Sequence, residues 1–314
     1  MSLEPDLIVD RRRLRRQLTF WRVLAVLVAI VGIISVGLVL RARAPGSSLP
    51  HIARIEISGL ITGQQQTFDL LKRAEDSGAK AVILRINSGG GTTSGSEALY
   101  NAVRRLSAKK PVVAVIESVG ASGAYMTAMG ADRIVANGSA IVGSIGVIAQ
   151  IPNVSKLLDN VGVKVEAVRS SPLKAMPNGV EPTSPEARAA MEQTVLDTYR
   201  WFRDLVGERR KLEGDALAKV ADGRVFTGRQ AIDLKLIDAV GEEIDAVAWL
   251  ESEKGIAKGL RIETYRINTN AGRFPLIGLL AALFLPEEAS TALKNAMEAH
   301  ALDGLVSLWH PSAN

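Results

Sequence analysis

The sequence predicts an α/β fold built on a parallel sheet, preceded by one apolar helix. Three observations carry that expectation. Residues 79–86 (AKAVILRI) and 111–116 (PVVAVI) are near-continuous apolar runs of strand length, the pattern of strands buried on both faces. Amphipathic stretches of helical period lie between such runs, and parallel neighbours need crossovers of that kind, which are right-handed. Finally, residues 23–40 (VLAVLVAIVGIISVGLVL) carry no charge over eighteen positions.

That apolar run comes first in the chain. At helical rise it spans about 27 Å, close to the hydrocarbon thickness of a bilayer. Phe20 and Trp21 flank its start, where aromatic rings favour the membrane interface. Arg11, Arg12, Arg13, Arg15, Arg16 and Arg22 precede it, and Arg41 and Arg43 follow it. The positive-inside bias puts residues 1–22 in the cytoplasm and the chain beyond residue 44 outside. The competing reading is a cleaved signal peptide, since Ala42-Arg43-Ala44 has the small-x-small form of a cleavage site. The run exceeds the usual 7–15 residue core of such a peptide, which favours a retained anchor over residues 23–40.

Pro45-Gly46-Ser47-Ser48 reads as a linker. Strand and helix then alternate. Residues 53–58 (ARIEIS) form a strand, 64–76 a helix, 79–86 a strand, 94–108 a helix and 111–116 a strand. Residues 122–130 form a helix of small residues, and 133–136 a further strand. A helical region follows. Ser184 is placed to cap a long helix over 184–212, with Glu186 in its first turn. Shorter helices are expected over 215–220, 228–234 and 243–253, and a closing strand over 260–267. One folded domain thus covers 50–267, and 268–314 is a tail. The tail contains an eleven-residue apolar run, 275–285, too short to span a bilayer.

Composition narrows the chemistry. The net charge is +5, but the arginines beside the apolar run account for it, so no nucleic-acid partner is expected. There are no cysteines, which excludes disulfides, thiol nucleophiles and zinc–thiolate sites. The three histidines are His51, His300 and His310. Residues 52–299 therefore offer no Ser-His-Asp triad and no histidine metal site. A base there must be Lys, Asp, Glu or Tyr.

Two glycine-rich loops are expected at consecutive strand ends. One is Asn87-Ser88-Gly89-Gly90-Gly91, the other Gly120-Ala121-Ser122-Gly123-Ala124. Ligands of parallel sheets bind at the carboxyl ends of the strands. Glycine there lets backbone N–H groups turn toward one point, which suits the oxyanion of an acyl-transfer intermediate. Ser122, at a helix start beside the Gly123 N–H, can supply a nucleophile. The alternative of a simple helix cap is weakened by the pairing of two such loops. The spacings of dinucleotide and Walker phosphate loops are absent. A lone hydroxyl is a weak nucleophile, so a lysine of depressed pKa is the natural activator. Composition and spacing do not single out one lysine. Lys174 sits after an expected strand in a stretch with few charges.

Taken together, these stretches resemble the signal peptide peptidase A family, Ser/Lys proteases of ClpP/crotonase-like fold. The stretches are 85–91 (RINSGGG), 118–125 (SVGASGAY), 142–148 (VGSIGVI), 170–174 (SSPLK) and 222–231 (DGRVFTGRQA), and the similarity covers about residues 50–265. The resemblance implies Ser122 as nucleophile, Lys174 as general base and Ser144 as the serine that orients the lysine. It implies Gly123 and Gly90 or Gly91 as oxyanion donors, with no cofactor and no metal. Gly89 departs from the family's usual proline at that position and leaves the choice between Gly90 and Gly91 open. The chain resembles the short members of the family, which implies a ring- or dome-shaped homo-oligomer in which the lysine of one subunit serves the serine of its neighbour. The implied substrates are remnant signal peptides and other membrane-released peptides, bound extended in an apolar groove by strand addition. The implied location is a single pass in the bacterial inner membrane, with the catalytic domain in the periplasm. Two other classes share such a fold: a crotonase-like acyl-CoA enzyme, which an export anchor disfavours, and a catalytically silent membrane scaffold.

Overall fold

The computed structural model describes residues 17–35, 49–266 and 306–308. Two units divide the chain, Met1–Pro45 and Gly46–Asn314. In the first, helix α1 (Gln17–Ser35) is long and apolar enough to cross a membrane. The arginines at 11–16, the end of the apolar run at 36–40 and the apolar run at 275–285 lie outside the described residues.

The second unit opens with β1 (His51–Ile61), α2 (Gln65–Asp76), β2 (Ala79–Thr92), α3 (Thr93–Ser107), β3 (Val112–Ala121), α4 (Gly123–Ala128) and β4 (Arg133–Ala136). It continues with β5 (Ile141–Gly143), α5 (Ser155–Asn160), α6 (Pro185–Arg210), α7 (Gly214–Val220), β6 (Val225–Thr227) and α8 (Gly228–Asp233). β7 (Ala239–Val240), α9 (Glu243–Glu253), β8 (Ile262–Tyr265) and β9 (Val306–Leu308) complete the described elements. The strands form one sheet of order β6-β5-β3-β2-β1-β8, with β4 on β3, β7 on β4 and β9 on β2. Pairing is parallel throughout except at β5–β6 and β2–β9. The expected α/β class with a parallel sheet is the one observed.

Alternation along the strands builds two cores. Val82, Leu84, Ile86, Val112, Ala114 and Ile116 face a layer containing Leu70, Val103, Tyr125, Met126 and Phe202 from the helices. Ile52, Ile83, Val113, Val115 and Val135 face α9 through Ala246 and Leu250. Each such aliphatic side chain contributes about 1.5–3 kcal/mol by leaving water. Toward the carboxyl ends of the strands the second face becomes charged: the Arg85 guanidinium pairs with Glu117, and Arg54 with Glu243. These pairs let β1, β2 and β3 run past the apolar cover.

The helix ends follow their sequence signals. Ser184 accepts a hydrogen bond from the Ala187 N–H at 3.1 Å, with Pro185 in the first turn. Thr227 and Gln230 cap α8 reciprocally. Short α4 is held differently. All of its residues are buried, and the Tyr125 hydroxyl donates to the Leu236 carbonyl at 2.6 Å. Burial pushes the Tyr125 phenol well above its usual range, so it stays a donor at any physiological pH. Tyr125→Phe strands that carbonyl and is expected to destabilise the fold by about 1–3 kcal/mol in urea unfolding.

Candidate active site

Ser122 stands between the last residue of β3 and the first of α4. Its backbone has φ 56° and ψ −121°, a left-handed conformation that a non-glycine residue adopts at a cost of about 1–3 kcal/mol. Two bonds hold the turn. The Ser122 N–H donates to the Gly143 carbonyl at 2.7 Å, and its carbonyl accepts from the Met126 N–H at 2.9 Å. The first tethers Ser122 to β5, and the second starts the helix. β3 thus stops on a strained serine and passes directly into a helix, and the serine is buried there, 1% exposed. Sequence reasoning placed Ser122 at a helix start but had no signal for the reversed φ.

The first glycine-rich stretch is strand rather than loop, and the second is divided between the end of β3 and the start of α4. β2 continues through Ser88, Gly90 and Gly91 to Thr92, and β3 through Gly120 and Ala121. The register shifts, between Ser58 and Leu60 on β1 and between Ile86 and Ser88 on β2, absorb the change of direction. Glycine is disfavoured in strands, so these residues read as loops; backbone pairing to β1 overrides that preference. At Gly91 the approach is close enough that a Cβ would stand 1.8 Å from the Ile61 carbonyl oxygen, so only glycine fits.

Gly90 and Gly91 are not equivalent. The Gly90 N–H donates to Ser88 Oγ at 3.0 Å, and that hydroxyl donates to the Gly59 carbonyl at 2.6 Å. The Gly91 nitrogen instead lies 3.2 Å from the point where a Cβ on Gly123 would stand. Gly91 on β2 and Gly123 at the start of α4 thus converge. The same point is 2.1 Å from Ser96 Oγ on α3. Gly123→Ala must displace the Ser96 hydroxyl and crowds the Gly91 nitrogen, and is expected to lower kcat on a peptide substrate about 100-fold.

Ser144 follows Gly143, whose carbonyl holds Ser122, so the two serines lie at neighbouring positions across the β3–β5 pair. Ser144 too has a left-handed φ, 52°, and its N–H donates to the Arg224 carbonyl at 2.8 Å. Lys174 is elsewhere. It occupies an exposed turn in which its N–H donates to the Ser171 carbonyl at 3.1 Å. Its ammonium makes no hydrogen bond or ion pair among the described residues. The strand expected before it does not form: residues 161–170 pair with no other strand among the described residues and are exposed almost throughout. A strand needs a partner edge, and the described chain presents none there. His51 is buried at the opposite end of β1, bonded to the Tyr265 hydroxyl at 2.8 Å. Ten residues of strand, roughly 33 Å, separate it from Ile61 and the partner Gly91. His300 and His310 lie outside the described residues.

A parallel sheet that ends one strand on a strained serine, and sets a second glycine-bearing strand end beside it, has the frame of enzymes that attack acyl groups through a serine. The profile of Peptidase family S49 matches residues 104–257. A Synechocystis sp. protein named as a protease is 36% identical over 212 residues, covering 67% of this chain and 76% of that protein. An Enterococcus faecium protein named as the signal peptide peptidase SppA is 30% identical over 233 residues, covering 69% and 68%. Serine protease SPPA of Arabidopsis thaliana, named as chloroplastic, is 32% identical over 235 residues, covering 74% of this chain and 35% of its own. Among solved structures, an alanine variant of the 1510-N membrane-bound stomatin-specific protease aligns with a TM-score of 0.43 at 15% identity, over 69% of this chain and 98% of that one. The chain belongs to peptidase family S49, and it is a serine peptidase.

Proposed function

We propose that this chain is a membrane-anchored endopeptidase that degrades remnant signal peptides with a Ser/Lys dyad, Ser122 and Lys174. The observation that carries the reading is the strained Ser122 turn, with Gly91 and Gly123 converging beside it. Ser122 Oγ attacks the scissile carbonyl carbon and passes its proton to the neutral Lys174 amine. The oxyanion of the tetrahedral intermediate takes hydrogen bonds from the Gly123 and Gly91 N–H groups, since the Gly90 N–H is already given to Ser88. The lysine returns the proton to the departing amine, and water then hydrolyses the acyl-serine with the lysine again as base. Ser144 orients the lysine.

An exposed lysine is about 0.1% neutral near pH 7.4 and must be buried to serve as a base. A second copy of the chain supplies that burial. Val161, Val163, Val165, Val168 and Leu173 are exposed around Lys174, Val168 fully. An apolar stretch without a partner strand suits the edge of a neighbouring subunit, which brings Lys174 to that subunit's Ser122. The substrate adds as a strand to the end of β2. Support for this mode comes from the chain itself, whose segment Val306–Leu308 pairs antiparallel with Gly90, Gly91 and Thr92. A hollow of about 280 Å³, lined by Ile145, Val147, Leu196 and Tyr199 with Asp222 at one side, begins one residue after Ser144 and can accept a substrate side chain. Helix α1 anchors the domain, with the N-terminus cytoplasmic and the peptidase on the far side of the inner membrane.

The test uses the full chain in detergent with a fluorophosphonate probe and a synthetic signal peptide. Labelling mapped to Ser122 together with turnover is expected. Labelling at another serine, or an unlabelled protein that still cleaves the peptide, overturns the reading.

A further inference from the structure

Behind the Ser122–Gly123 peptide lies a hydroxyl that the reaction outlined above does not use. Ser96, in the first turns of α3, is fully buried. Its Oγ has no hydrogen-bond partner, one of two such buried side-chain atoms among the described residues. An unpartnered buried hydroxyl lowers stability, whereas alanine of nearly the same shape would pack at no such cost. The position is specific. A Cβ on Gly123 would stand 2.1 Å from Ser96 Oγ, 3.0 Å from Ser96 Cβ and 3.2 Å from the Gly91 nitrogen. The Oγ therefore rests against the Gly123 Cα, at the point where the strand end of Gly91 comes nearest. Two features fix α3 there. The Thr92 side chain caps the helix by accepting from the Gly95 N–H at 3.1 Å, and Gly95 packs against the Thr62–Gly63 backbone. Ser96 is thus a rigid stop on a helix that starts directly from β2, the strand carrying Gly91.

We propose that Ser96 is a positioning residue of the oxyanion hole: its hydroxyl sets the gap between the Gly91 and Gly123 amides and so aims the Gly123 N–H. The proposal rests on Ser122 as nucleophile and on those two amides as donors. Ser96 acts through the Ser122–Gly123 peptide and touches no substrate. Its contact stops that peptide from settling toward α3. With alanine at 96 the peptide can relax into the vacated space by a fraction of an ångström, and the hole widens. Ground-state binding, made along the strand, is untouched by this. Transition-state binding, made at the two amides, is weakened.

The experiment compares Ser96→Ala with the unaltered chain, both full-length in detergent. Thermal unfolding, peptide kinetics and inhibition by a peptide boronate are measured, with Ser122→Ala as reference. The expected result is unfolding at the same or higher temperature, kcat lower by about 10- to 100-fold, unchanged KM, and boronate affinity reduced in step with kcat/KM. Unchanged kcat and boronate affinity in Ser96→Ala, with Ser122→Ala inactive, overturn the positioning role and leave the nucleophile standing. A parallel loss of kcat and thermal stability also overturns it, because it marks Ser96 as a packing residue. Full activity in Ser122→Ala removes the nucleophile assignment and the Ser96 role together.

Discussion

Ser122→Ala is expected to lower peptide hydrolysis by about four to six orders of magnitude while the protein stays folded. The size follows from the mechanism. Without the hydroxyl no acyl-enzyme forms, and residual turnover depends on water attacking a carbonyl held only by the oxyanion donors and the strand contacts. Folding is spared because alanine meets the same left-handed backbone as serine, and the N–H and carbonyl bonds to Gly143 and Met126 involve no side chain. Unfolding midpoints should agree within about 0.5–1 kcal/mol. Initial rates on a quenched signal peptide and loss of fluorophosphonate labelling check the prediction. Retention of more than a few per cent of activity in purified Ser122→Ala protein would falsify the assignment.

Lys174→Ala should be nearly as damaging, with a loss of about three orders of magnitude or more, since the single histidine among the described residues, His51, sits at the far end of β1. The more informative measurement mixes it with Ser122→Ala. If the dyad forms between subunits of a closed ring, random co-assembly leaves about one site in four with both an intact serine and an intact neighbouring lysine. Co-expressed mutants should then recover on the order of one quarter of wild-type activity, although each alone is inactive. A dyad within one chain gives no recovery at any ratio. The exposed position of Lys174, in a stretch whose valines face solvent, favours the first outcome.

Legibility differed along the chain for definable reasons. The runs AKAVILRI and PVVAVI became β2 and β3 because continuous apolar sequence has no other place to go than a sheet covered on both faces. The cap at Ser184 and the strand at Arg133–Ala136 formed as read, each from a signal local to a few residues. The short strands β5, β6 and β7 escaped notice, because two or three residues carry no periodicity. The strand expected before Lys174 failed because valine-rich sequence states only a preference for an edge; it does not create one.

Chemistry divided in the same way. The sequence alone determined that Ser122 stands at the carboxyl end of a buried parallel strand, that no cysteine or interior histidine can assist it, and that glycines accompany it at two strand ends. These are properties of composition and local pattern. Only the tertiary structure decided that residues 89–91 and Gly120 are strand rather than loop, that Ser88 occupies the Gly90 N–H and leaves Gly91 beside Gly123, that Ser144 lies across one strand pair from Ser122, and that Ser96 fills the space behind Gly123. Each of these depends on where two backbones distant in sequence come to rest. That is set by summed packing and register over the whole sheet, to a fraction of an ångström, and no window of residues encodes it.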